Sequence, residues 1–301
     1  MNKNLLRTCI GLVIGGSLLI GSAAMSIASG PTGYEALKAA IKNSNKIENA
    51  TYQISGSLTD NNRELIKLSS EIKVQQEGLS SGKVFIDTDA FERNYIFSVE
   101  DNILILKHDA SDVYNKITHS EKEYETKRNR QKNQNINPKT EAILENILDT
   151  LVGDLKNQVT VTDIENDKKH ISIDLAKNEI PSLLNLMMNL SQNEESNIEM
   201  EADNMISEVF GISLKDIDLP KLTDNIQPEK IKADFIVDKD NIINQINFEL
   251  EVSGNDAQNN IHNRKLKISF DISNINSTTA DIIELDGKQV KEISAKELDC
   301  K

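Results

Sequence analysis

Apolar residues recur along this chain with two different periods, and the changes of period predict the order of its elements. Tyr34 and Leu37 fall on one face of a first helix, which ends near Asn43. The spacing of Thr32 and Glu35 is that of a capping box, in which each side chain satisfies a backbone N–H of the other residue. A helix is therefore predicted directly after residue 31.

Alternation of apolar and polar residues begins at residue 51 and continues through several short segments. Tyr52, Ile54 and Leu58 alternate with polar residues, and Asp60-Asn61-Asn62 then predicts a turn. Similar segments follow at 66–74, 84–86, 95–99 and 103–106. Short strands joined by tight polar turns are typical of an antiparallel meander. One face of such a sheet is apolar and needs a cover.

A polar stretch from Ser120 to Asn137 predicts a solvated loop, and a second helix is predicted after it. Pro138 occupies the position of a first helical residue. Apolar residues follow at helical spacing: Ile143, Leu144, Ile147, Leu148, Leu151, Val152 and Leu155. This stripe is the predicted cover of the sheet.

The second half of the chain is predicted to form a hairpin, a helix and a second meander. A strand at 159–164 and its return at 171–175 precede a helix that Asn178 is predicted to cap. From Lys230 the period of two resumes, with Gly254 to Asn263 predicted as the loop between the last two strands. The tail from Asp281 to Ile293 contains a turn. Because strands cluster and do not alternate with helices, the predicted class is α+β with an antiparallel sheet.

The N-terminal segment predicts export from the cytoplasm. Lys3 and Arg7 precede an uncharged, apolar stretch from Thr8 to Gly30, an arrangement that keeps the N-terminus inside and sends the rest across the membrane. Cleavage after Ala28 and retention as a single-span anchor are both consistent with this pattern. We therefore assign residues 1–29 to a signal peptide or anchor and residues 30–301 to one extracytoplasmic domain.

Composition excludes some partners and leaves others open. The chain of 301 residues has a net charge of −14, which disfavours binding to nucleic acid and to anionic lipid headgroups. We therefore expect no nucleic-acid partner, and membrane contact through the N-terminal segment only. Cys9 lies in the targeting segment. If that segment is cleaved, Cys300 has no second cysteine with which to form a disulfide.

No residue pattern predicts catalysis, a metal or a cofactor. The four histidines share no ligand spacing. Asp87-Thr88-Asp89 and the segment from Asp238 to Asn241 lack the further ligands of a calcium loop, so we interpret them as turn or strand-end carboxylates. Nucleophile, metal-binding and phosphate-binding motifs are also absent, and we expect that the protein is not an enzyme.

One apolar set is a candidate ligand groove. It combines the two predicted helices after residue 137, and Met adapts to ligands of varied shape. Its members are Ile147, Leu151, Leu183, Leu184, Met187 and Met188. A plain core stripe beneath the sheet is the alternative interpretation of the same residues.

Several segments resemble a group of exported proteins from Gram-positive, clostridia-like bacteria. They are Gly30–Lys38, Glu179-Ile180-Pro181 at a predicted helix start, Leu219–Leu222, and the tail with Ile275–Thr278 followed by Leu285–Val290. The architecture of that group is similar to lipoprotein carriers of the LolA and LppX type. The resemblance implies a curved antiparallel half-barrel with helices packed on its concave face. The expected function is non-catalytic binding in the cell envelope, with an envelope protein as partner. The alternative is a carrier or sensor of a hydrophobic ligand.

Overall fold

A computed structural model describes residues 32–44, 46–75, 78–118, 156–181 and 219–294. These residues form one α-helix, one short 3-10 helix at Lys177–Glu179 and twelve strands. The helix is α1 (Gly33–Ser44). The strands are β1 (Ala50–Asp60), β2 (Arg63–Val74), β3 (Ser80–Thr88), β4 (Glu92–Glu100), β5 (Ile103–His108), β6 (Val113–Thr118), β7 (Val159–Ile164), β8 (Lys168–Ala176), β9 (Leu222–Val237), β10 (Ile243–Asp256), β11 (Ile261–Ser273) and β12 (Gln289–Ser294).

All twelve strands belong to one open sheet in the order β12-β6-β5-β4-β3-β2-β1-β11-β10-β9-β8-β7. The two meanders of the chain therefore extend in opposite directions from the β1–β11 pair, in which Ile54 lies opposite Phe270. Every pair is antiparallel except β12 with β6. The predicted antiparallel sheet is confirmed. We call the end where β1 begins the base of the sheet, and the end where β1 finishes its rim.

One face of the sheet is apolar, and we call it the inner face. Around β1 and β7–β11 its side chains form a first cluster that includes Ile171, Phe235 and Phe270. Helix α1 packs on this cluster with Leu37 fully buried, which confirms the first predicted helix. Gly33 begins α1 so close to β7 that a Cβ atom would lie 2.2 Å from the Val159 carbonyl oxygen. A small residue is therefore required at that contact.

Asparagine and aspartate make the tight turns of this sheet. Asn61 and Asn62 both have positive φ between β1 and β2, and Asn166 and Asp167 do the same between β7 and β8. Two consecutive residues with positive φ are typical of the hairpin turns whose twist matches that of the flanking strands. Asp101 has a positive φ in the β4–β5 turn. The local turn signals of the sequence are confirmed at these hairpins.

The segment from Asn274 to Lys288, which we call the strap, crosses the opposite, outer face near the base. It leads from β11 over the central strands to β12. The Thr278 hydroxyl lies 2.9 Å from the Thr51 hydroxyl, and Ser81 and Ser98 accept the backbone N–H groups of Asp281 and Ile283 at 2.8 and 3.2 Å. These contacts explain why hydroxyl groups on three different strands are buried.

The predicted α-helix start at Asn178 is wrong. Asn178 lies within the short 3-10 helix, and the Glu179 carboxylate accepts the backbone N–H of Ala176 at 2.9 Å. Ile180 is extended because the ring of Pro181 disfavours the α conformation in the preceding residue. The remainder of that predicted helix, and the helix predicted after Pro138, lie outside the described residues.

Three further boundaries differ from the prediction. Strand β9 begins at Leu222, eight residues before Lys230, and carries Pro228 next to a register shift. Strands β10 and β11 extend so far that Gly254 pairs with His262, and the predicted loop shortens to residues 257–260. The tail contributes β12, a parallel edge strand that the period-two pattern did not identify.

Candidate functional site

The six residues predicted to line an apolar groove lie outside the described residues. They are Ile147, Leu151, Leu183, Leu184, Met187 and Met188. The structure does describe the sheet surface that such a groove would need as its floor.

That floor is a second apolar cluster on the inner face of β3–β6. Val84, Phe97 and Leu104 are each less than a tenth exposed, and Ile72 links this cluster to the first one. Its described members come from strands and from the β3–β4 turn only, whereas the first cluster also contains side chains of α1. A single sheet layer cannot bury its own face, and among the described residues no helix contributes a side chain to this cluster.

The outer face carries a groove of about 430 Å³ that crosses the strands β11, β1, β2, β3 and β4. We call it the outer groove. Two adjacent cross-strand rows build it. The row nearer the base contains Asp271, Gln53, Glu71, Lys83 and Ile96. The next row contains Ser55, Ser69, Phe85 and Asn94.

Side-chain size gives the groove its shape. Ser55 and Ser69 are short and lie next to each other on β1 and β2, so they form a low floor between longer neighbours. The ring of Phe85 stands at the β3 end of that floor and is partly exposed. On the base side, the strap lies beyond the first row, where Asp281 pairs with Lys73 at 2.8 Å. The groove is therefore bordered by ordered structure.

Most polar side chains of the outer groove are not used for internal contacts. Within the described residues, neither a hydrogen bond nor an ion pair is made by the side chains of Gln53, Ser55, Ser69, Lys83 or Asp271. A groove whose polar groups converge without mutual pairing has the arrangement of a binding site.

The other half of the outer face is different. Across β8–β11 the charged side chains form cross-strand pairs, including Lys265 with Glu251 at 2.6 Å and Lys267 with Glu249 at 3.6 Å. Hydrogen bonds to Lys265, which outweigh the effect of burial, lower the pKa of Glu251. Such pairs stabilise neighbouring strands. Among the described residues, the outer groove by contrast contains several polar side chains that are not used in such pairs.

One cluster contains the residue types of a hydrolase triad, but in the wrong order. Its members are Asp234, His170 and Ser172. His170 Nε2 and the Ser172 hydroxyl both contact the same oxygen of Asp234, at 2.8 and 2.9 Å. Burial disfavours ionisation of this carboxyl, yet hydrogen bonds from Lys232, Ser172 and His170 outweigh it and lower the pKa of Asp234. In a catalytic triad the histidine lies between the serine and the carboxylate. This cluster therefore lacks a base positioned to activate Ser172.

A buried charged cluster lies on the inner face at the rim. His262 Nδ1 is 2.6 Å from Asp60 Oδ2, while His262 Nε2 is 3.4 Å from Asp256 Oδ2. The guanidinium of Arg264 lies 3.8 Å from Asp60 and donates to the Pro220 carbonyl oxygen. Burial lowers the pKa of Arg264, and the negative charge of Asp60 opposes this shift. These contacts join three strands, and we interpret them as structural.

The two calcium candidates are turn or strand-end residues, as predicted, with Asp87 and Thr88 at the end of β3 and the segment from Asp238 in the turn after β9. Asp238 Oδ1 accepts the backbone N–H groups of Asp240 and Ile242, each at 2.9 Å. The hydroxyl of Thr88 accepts the N–H groups of the next turn, and Asp89 pairs with Arg63. Oxygen atoms of Thr88, Asp89 and Asp238 are therefore engaged in contacts with the protein itself. No grouping of three potential metal ligands was found among residues 32–44, 46–75, 78–118, 156–181 and 219–294.

Compared with known proteins, the chain matches no family model and no curated sequence. Within the segments that the structure describes, no helix has the length and apolar character to cross a membrane.

The sequence did not indicate the outer groove. Its floor joins Ser55 and Ser69, and its walls join Gln53, Lys83 and Asp271, which are far apart along the chain. Only the strand register places them side by side. The sequence pattern indicated the groove only weakly, since polar residues at alternate positions predict a face in contact with water and not a binding surface.

Proposed function

We propose that the protein is a non-catalytic binding protein of the bacterial cell envelope, exposed outside the cytoplasm. The observation that supports this proposal is the outer groove, a concave surface on which the side chains of Gln53, Ser55, Ser69, Lys83 and Asp271 make no hydrogen bond or ion pair within the described residues. The export pattern of residues 1–29 supports the location. An envelope component is the proposed partner.

Two measurements test this proposal. The full chain with a C-terminal tag is expressed in a Gram-positive host, and intact cells are treated with protease. We expect the tagged body to be digested or to be found in the medium. Purified full-length protein is then sedimented with isolated cell envelopes. Retention of the tag in a protease-protected cytoplasmic fraction would exclude the location.

A steric block of the groove tests the proposed surface. Ser69 is exposed on the groove floor, so Ser69→Arg fills the groove without disturbing the core. Thr162→Arg, on the exposed outer face of β7, adds the same charge elsewhere and is the matched control. We expect the first variant, and not the second, to lose sedimentation with envelopes. Equal sedimentation of both variants would rule out the groove as the binding surface.

We also propose the finer architecture that the resemblance implies, a curved sheet with helices on its concave inner face. The supporting observation is topological. Strand β6 lies ten positions from β7 in the sheet, or roughly 48 Å at about 4.8 Å per strand. The residues from 119 to 155 must connect these strands, and the helix predicted from Pro138 to Leu155 would span roughly 27 Å of that distance. Crossing the inner face would place their apolar stripe over the second cluster.

A second candidate function is the transport or sensing of a hydrophobic ligand on the inner face. The observation that favours it is the second apolar cluster, whose cover is not among the described residues. Organic extraction of the purified full-length protein followed by mass spectrometry tests this candidate, together with titration of an apolar fluorescent dye. Co-purified lipid that Ser69→Arg does not displace would favour the carrier over the groove. Absence of both lipid and dye binding would rule the carrier out.

A further inference from the structure

We infer that the outer groove binds an uncharged, hydroxyl-rich glycan chain. This inference rests on the proposed function, because it names the class of ligand for the same groove.

The groove presents donors and acceptors side by side. Lys83 only donates hydrogen bonds, Glu71 and Asp271 only accept them, and the amide of Gln53 does both. A phosphate or sulfate group only accepts, and it would be repelled by the two carboxylates. An ammonium group only donates, and it would be repelled by Lys83. A hydroxyl group donates and accepts, so a ligand rich in hydroxyl groups satisfies all of these side chains together.

The backbone of the groove supports the same ligand class. The residues between the two rows, such as Ile54 and Val84, point to the inner face, so they offer only backbone to the groove. That backbone is already used in the strand ladder. A peptide that pairs through its main chain therefore finds no partner here, because strand addition requires a sheet edge.

Phe85 adds an apolar contact of the kind that a sugar ring uses. Its ring is partly exposed at the end of the serine floor, beside Asn94 on β4. The face of an aromatic ring carries partial negative charge and attracts groups with a positive edge, such as the C–H bonds of a sugar. A flat apolar surface next to hydroxyl and amide groups fits one face of a sugar ring and its equatorial substituents.

The groove has the length for an oligosaccharide. It crosses five strands, a distance of roughly 19 Å at about 4.8 Å per strand. Its volume of about 430 Å³ lies within the range of small-molecule sites. The net charge of −14 disfavours polyanions at any surface of this protein. An uncharged chain of several sugar rings meets all of these conditions.

The test is isothermal titration calorimetry on the full-length chain in a detergent without a sugar headgroup. The probes are cello-, chito- and malto-oligosaccharides of several rings, with oligogalacturonate as the anionic control. We expect at least one uncharged probe to bind with micromolar to millimolar affinity, and oligogalacturonate not to bind. If none of the three uncharged probes binds, or if oligogalacturonate binds more tightly than they do, the inference is overturned.

Two pairs of variants locate the binding. Ser69→Arg should abolish it while Thr162→Arg retains it. Phe85→Ala should weaken the affinity about tenfold, the cost of losing one aromatic contact, whereas Tyr114→Ala, on the outer face of β6 and outside the groove, should not. Circular dichroism checks that each variant is folded. If Phe85→Ala fails to fold, the comparison of Ser69→Arg with Thr162→Arg still tests the inference, since unchanged binding by Ser69→Arg overturns it.

The two proposals fail in different ways. Loss of envelope sedimentation by Ser69→Arg without binding of any uncharged probe would retain the groove as the binding surface and exclude the glycan. Glycan binding without envelope sedimentation would retain the ligand class and exclude the envelope as the partner.

Discussion

His262 and Asp60 join β11 to β1 at the rim, with Nδ1 of the histidine 2.6 Å from Oδ2 of the carboxylate. Both residues are less than a tenth exposed, and Arg264 lies against the same carboxylate oxygen. The contact joins the two central strands of the sheet, from which the two meanders of the chain extend. The rim is therefore stabilised by a buried charged contact and not only by its backbone ladder.

Replacement of Asp60 tests this role. Asp60→Asn leaves Arg264 buried without its countercharge, so we expect the free energy of unfolding to fall by roughly 3 kcal/mol in urea denaturation. Asp89→Asn is the matched control, because it breaks the pair with Arg63, in which both side chains are about half exposed. The control should lose less than about 1 kcal/mol. Equal losses in the two variants would show that burial of the rim contact adds nothing.

Loss of the hydrogen bonds that hold the strap on the sheet should also destabilise the protein. Ser81 and Ser98 are buried and accept backbone N–H groups of the strap. Ser81→Ala and Ser98→Ala should each reduce the free energy of unfolding by about 1 kcal/mol, the value of one hydrogen bond. Hydrogen exchange should accelerate at the amides of Asp281 and Ile283, respectively. Ser55→Ala removes an exposed hydroxyl outside the strap and is the control. Unchanged exchange at both amides would contradict the role assigned to the two hydroxyls.

Local pattern predicted the first helix and most of the strands from the sequence, since each of them depends on neighbours along the chain. Strand β9 was placed too late because Pro228 and the positive φ of Asn225 interrupt its alternation at irregular positions of the ladder. The parallel pairing of β12 was missed for another reason. Gln289 meets Val113 only after the strap has crossed the sheet, and no local pattern encodes that contact.

The candidate site was less predictable than the fold. The sequence directed attention to apolar helical stripes, which lie outside the described residues. The outer groove arises from cross-strand neighbours such as Ser55 and Ser69, and a shift of one residue in register would turn either side chain to the inner face. Sequence pattern can thus predict that a face is polar, but the binding surface depends on which strands are adjacent and in what register.

Two glycines in the central strands should respond in opposite ways to the same substitution. A Cβ atom at Gly82 would lie 2.5 Å from the Glu71 carbonyl oxygen and 2.8 Å from the Phe97 ring. At Gly56 the nearest atom would be 3.5 Å away, an ordinary contact. Gly82→Ala should therefore destabilise the protein by roughly 2 kcal/mol, while Gly56→Ala should be neutral or stabilise it by up to about 1 kcal/mol. Thermal and urea denaturation measure both, and similar results at the two positions would contradict the close approach at Gly82.

Acid should weaken the β10–β11 hairpin through Asp256. Hydrogen bonds from the side chain and backbone of Asn260, together with those of His262 and Gln258, outweigh burial and lower the pKa of Asp256 to about 2. Because the folded-state pKa lies below the unfolded value of about 3.9, this carboxylate stabilises the fold above that value, and the contribution is lost as the pH falls through about 2.

Asp256→Asn should therefore be less stable than wild type at neutral pH, and the difference should shrink between about pH 5 and about pH 2. Asp163→Asn, an exposed change on β7, controls for the loss of one negative charge. Urea denaturation across this range measures the difference, and a gap that stays constant down to the lowest pH would show that Asp256 does not stabilise the hairpin as an ionised group.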